Sequence, residues 1–158
     1  MNPPDPMAVG LDRTRSAVLN ILIVVGLGIA VSGWVLRPRV PGAAHWSVVT
    51  ARRVALSGLL ALVVASYAIR RIGSSREALR DPETRLARFH RAHLLGASIA
   101  ALAVPLGFAY GYTVDPSLPA VAPFWVAALT LGFLSIPRRS TLDDFDAPLP
   151  LEPVEPRP

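Results

Sequence analysis

Four stretches of this sequence contain no charged residue: 17–36, 54–69, 94–112 and 121–136. At 1.5 Å per helical residue the longest spans ~30 Å, the thickness of a bilayer's hydrocarbon core. The shortest reach only ~24 Å as helices. For the second stretch, Arg53 and Arg70 stand at the two ends, and their stems are long enough to reach the headgroups. Backbone polar groups cannot be left open in lipid, which restricts such stretches to helices. The expected fold is all-α: a polytopic membrane protein with four transmembrane helices arranged as two hairpins.

Composition agrees. Only 17% of the 158 residues are charged, against 52% hydrophobic, and mean hydropathy is +0.44. Ordinary soluble domains carry about 25% charged residues. That excludes a soluble enzyme of ordinary build and a disordered chain. Cysteine is absent, which removes disulfides, thiolate metal sites, iron–sulfur clusters and cysteine nucleophiles. The net charge of +5 comes from arginine alone, and the arginines flank the apolar stretches. Lipid headgroups fit that placement better than nucleic acid.

Three regions follow. Residues 1–16 form a polar segment whose early prolines, Pro3, Pro4 and Pro6, oppose regular structure. Residues 17–137 form the four-helix bundle, and residues 138–158 a Pro- and acid-rich tail expected to be disordered. A cleaved signal peptide is the rival reading of the first stretch. Its apolar region should be about 7–15 residues after a basic start. The first stretch is longer, and Asp5 and Asp12 precede it.

Asp81-Pro82-Glu83 has the pattern of a helix start, with Asp as cap and Pro in the first turn. Pro105 falls inside the third stretch and predicts a bend. Tyr110 and Tyr112 are expected at the interface beyond it, and Trp46 at an aromatic belt. With the N-terminus cytoplasmic, 12 arginines fall inside and 4 outside. The positive-inside rule therefore predicts that both termini are cytoplasmic.

No Asp, Glu, Lys, Arg or His lies within any apolar stretch. Ion pumps and proton channels need such a group in the membrane. The proteolipid subunit of rotary ATPases, comparable in size, needs a mid-membrane carboxylate and is excluded on that ground. His90 and His93 share a helix face and are the candidate metal ligands. Two imidazoles fall short of the three or four ligands usual for zinc. The expectation is no metal, no cofactor, and interfacial histidines that meet lipid phosphates. Arg70, Arg71, Arg76, Arg80, Arg85, Arg88 and Arg91 are the candidate contacts for anionic headgroups. Gly28 with Ser32, Ala61 with Ala65, and Gly96 with Ala100 repeat small residues four apart. They are the candidate helix-packing positions.

From Arg85 onward, RLARFHRAHLLGASIAALAVPLGFAYG, a further span and IPRRSTLDDFDAPL, the chain resembles the ends of small uncharacterised bacterial membrane proteins. In these a charged helix start with paired Arg and His feeds a span, and a Pro- and acid-containing segment closes the chain. The resemblance implies a four-helix protein of the bacterial inner membrane and no mechanism.

No nucleophile motif, phosphate loop or HExxH occurs, so no catalytic residue is assigned. The reading is a non-enzymatic accessory or scaffold subunit of a membrane complex, with a membrane protein partner or a second copy. The alternative is a small transporter or channel for a neutral or lipidic solute.

Overall fold

The computed structural model describes residues 6–38, 47–75 and 82–138. His45, Trp46, Arg76, Arg80, Asp81 and the tail from Arg139 lie outside the described residues. All regular structure among the described residues is helical. The helices are α1 (Pro6–Leu36), α2 (Val48–Gly73), α3 (Pro82–Ala101), α4 (Ala103–Thr113) and α5 (Leu118–Leu134).

Three helical rods are long and apolar enough to cross a membrane: Ala8–Leu36, Val48–Gly73 and Thr84–Thr113. The last joins α3 and α4. Leu118–Leu134 is a shorter apolar helix of 17 residues.

α1 reaches much further toward the N-terminus than its uncharged stretch. Pro6 opens it, where a missing N–H costs nothing because first-turn donors are unpaired anyway. The extension is held by a stripe at helical spacing. Leu11, Thr14, Val18, Leu22 and Val25 are all buried, at three- and four-residue intervals. The charges of this segment, Asp12, Arg13 and Arg15, fall on the exposed side.

α2 starts at Ser47, whose hydroxyl accepts the N–H of Thr50. The α3–α4 rod loses helical regularity at Leu102. There the N–H bonds the carbonyl of Ile99, three residues back. Pro105 lacks the N–H that would have bonded Ala101, so the break sits just before the proline. α5 begins before its predicted start because Pro119 is accommodated in its first turn.

The first expected hairpin is not a packed pair. Among the described residues no Cα of α1 comes within 8 Å of a Cα of α2, although the two helices are consecutive in the chain. The α3–α4 rod lies between them and touches every other helix. α3 can take this place because it has small residues on two faces. Ala92 and Gly96 meet α2 at Gly73, Ser66 and Arg70, while Ala97 packs with Val18 and Leu22 of α1. The second hairpin, α4 against α5, does pack. Tyr110 is buried there beside Phe124, ring centroids 5.8 Å apart. It is a core residue and not the interfacial marker expected; Tyr112 is exposed.

Candidate functional site

Four of the five buried polar side chains among the described residues, Thr14, Ser66, His93 and Ser135, gather around the N-terminal part of α3. Their positions follow from helical spacing. Phe89, Ala92, His93, Gly96, Ala97 and Ala100 are all buried. His90 is half-buried next to this face, while Arg88 and Arg91 point outward.

His93 Nδ1 lies 2.8 Å from the carbonyl oxygen of Ser135 in the turn that ends α5. A carbonyl has no proton to give, so the ring donates Nδ1–H. The Ser135 hydroxyl in turn donates to the carbonyl of Leu131 at 2.7 Å. Phe89 packs against the same imidazole at a tilt of 50°, with ring centroids 4.3 Å apart. His93 Nε2 is buried and has no hydrogen-bond partner among the described residues.

His90 reaches in another direction. Its Nδ1 is 2.8 Å from Thr14 Oγ1, and Thr14 is fully buried. That hydroxyl donates its single proton to the carbonyl of Gly10 at 2.9 Å, which leaves His90 as the donor to Thr14. On the α2 side, Ser66 is fully buried and donates to the carbonyl of Gly96 at 2.9 Å. Arg70 lays its stem over Gly96 and donates Nε–H to the carbonyl of Ser66 at 3.3 Å. Three helices are thus fastened to α3 by hydrogen bonds: α1 through Thr14, α2 through Ser66, α5 through Ser135.

The candidate residues fall out as follows. His93 is buried and His90 half-buried, and each is hydrogen-bonded to a neighbouring helix. They bring no further ligand with them: among the described residues no group of three or more His, Cys, Asp or Glu is gathered. Of the arginines, Arg70 is engaged with α2 and α3, and Arg71 donates to the Tyr67 hydroxyl at 2.8 Å. Arg88 and Arg91 are exposed and Arg85 is half-buried. Gly28 faces Val104, and Ser32 is buried beside it. Gly96 and Ala100 are buried, and Ala65 is half-buried. Ala61 lies on the exposed face of α2.

Sequence reasoning missed Thr14 and Ser135 as partners of the histidines. Thr14 carried a signal, since it sits on the stripe that runs through Leu11 and Val18. Ser135 carried none, because its part is played by a main-chain carbonyl.

One cavity lies on the membrane-facing side. A groove of about 560 Å³ runs between α1 and α4. Gly28 and Ser32 give it depth, and Val31, Val104 and Phe108 line it. Its walls can hold a hydrocarbon chain and offer no group for chemistry.

No protein-family model matches the chain, and no curated protein or solved structure matches it. The arrangement of its own residues is therefore the basis for a function.

Proposed function

We propose that the chain is a four-span protein of the bacterial inner membrane, both termini cytoplasmic, acting as an accessory or scaffold subunit of a membrane complex. The observation that carries this is the state of α2. This long apolar helix buries only Ala55 and Ser66. Its outward face includes small residues, Ser57 and Ala61, one turn apart. Small residues give a lipid-facing helix no advantage, but they let a second helix approach closely. The hydrogen-bonded layer around α3 fits the same role, since it ties three helices to α3.

The polar end of the bundle is then the cytoplasmic end, with Arg88 and Arg91 placed to meet anionic headgroups at about 1 kcal/mol each. The groove between α1 and α4 favours the second reading, carriage of a lipidic solute. The test places a photo-crosslinking residue at position 61 or 126 in cells. The first reading expects a discrete protein adduct from 61, a partner or a second copy, and lipid adducts alone from the exposed position 126. Lipid adducts alone from both positions would remove the subunit reading. A solute displaced from the groove by Gly28→Leu would then support the second.

A further inference from the structure

A second cavity, of about 500 Å³, lies at the end of the bundle opposite the histidines. It is bounded by the C-terminal end of α1, the loop joining α4 to α5, and the first turns of α5. Leu36 and Val121 form an apolar floor, Trp125 adds a side wall, and Arg37, Asp115 and Ser117 supply polar groups. Arg37 follows directly on α1 and Asp115 stands in the α4–α5 loop. Both charges therefore lie where apolar helices give way to water.

The two charges share the cavity without an ion pair between them among the described residues. Asp115 Oδ1 accepts the N–H of Ser117 at 3.0 Å, which fixes the carboxylate. The other carboxylate oxygen keeps its capacity to accept. The Trp125 indole closes one side of the cavity.

We propose that this cavity binds the headgroup of a zwitterionic phospholipid, an ammonium-bearing phosphate ester. The phosphate meets Arg37, and the ammonium meets Asp115. The apolar floor receives the start of the lipid chains. An anion alone would satisfy Arg37 and leave a carboxylate beside it without a partner. A cation alone would do the reverse. A ligand carrying both signs satisfies both walls, and a phospholipid also explains why the floor is apolar.

The test is native mass spectrometry of the full chain in mild detergent, titrated with phosphatidylethanolamine or phosphatidylglycerol. Phosphatidylethanolamine should bind as one copy with at least fivefold preference. Asp115→Asn keeps an oxygen to accept the Ser117 N–H, so the turn is retained. This variant should lose the preference while still binding phosphatidylglycerol. Arg37→Gln should weaken both lipids. Equal binding of the two lipids by the native chain would overturn the proposal, as would an Asp115→Asn variant that keeps the preference. Free phosphoethanolamine displacing the lipid at equal concentration would overturn the lipid source.

Discussion

His93 donates its Nδ1–H to the main-chain carbonyl of Ser135 across 2.8 Å, tying the middle helix to the end of the last one. The contact is buried, and the ring also packs at a tilt against Phe89. His93→Ala removes a hydrogen bond worth about 1 kcal/mol and opens a cavity beside Phe89. The expected loss is about 2–4 kcal/mol, read as a lower midpoint of thermal unfolding in detergent. His90→Ala should cost less, because His90 is only half-buried. The ultraviolet–visible spectrum of the purified chain should be the same before and after both substitutions. Loss of a haem band would show instead that the histidines hold a cofactor.

Gly107 and Gly26 form a matched pair for testing where helices touch. A Cβ on Gly107 would stand 2.6 Å from the Cβ of Phe124, an atom fixed to the α5 backbone. The two helices would have to separate. Gly107→Ala should therefore destabilise the bundle by about 1–3 kcal/mol. A Cβ on Gly26 would meet nothing within 4 Å. Gly26→Ala should be neutral or slightly stabilising, since Ala is the better helix former by about 1 kcal/mol. Equal melting temperatures for the two variants would mean that α4 and α5 do not approach as closely as Gly107 and Phe124 indicate.

The apolar helices were legible in the sequence because charge is excluded from them. Their true ends were less so. The reading stopped at Ala17, where charge begins, while helix α1 continues to Pro6 because Leu11 and Thr14 extend its buried stripe. Packing order was not legible either. Chain order suggests that α1 and α2 are neighbours, yet small residues on two faces of α3 let it stand between them. Of the polar layer, the histidines could be named from the sequence but their acceptors could not. A carbonyl such as that of Ser135 exists at every residue, and only the fold selects which one is used.

The orientation rests on arginine placement and has a direct test. Reporter fusions after residue 75 and at the C-terminus should both read cytoplasmic, matching the excess of arginine on that side. Periplasmic readings at both points would reverse the topology and put Arg52 and Arg53 inside.

Ala61 and Ala100 separate bundle packing from docking, because one is exposed and the other is 1% exposed. Both belong to small-residue pairs with four-residue spacing, and the sequence treats them alike. Ala100→Leu inserts three heavy atoms into a filled interior and should cost about 1–3 kcal/mol in the isolated chain. Ala61→Leu adds the same atoms to an open face of α2. It should leave the melting temperature of the purified chain within about 2 °C, since surface changes stay within about 0.5 kcal/mol. In the membrane the same substitution keeps a partner helix from closing on Ser57 and Ala61. It should therefore reduce the adduct from a photo-crosslinking residue placed at 57, while Val126→Leu on α5 leaves that adduct unchanged. An Ala61→Leu chain that crosslinks as well as the native one would show that this face of α2 meets only lipid.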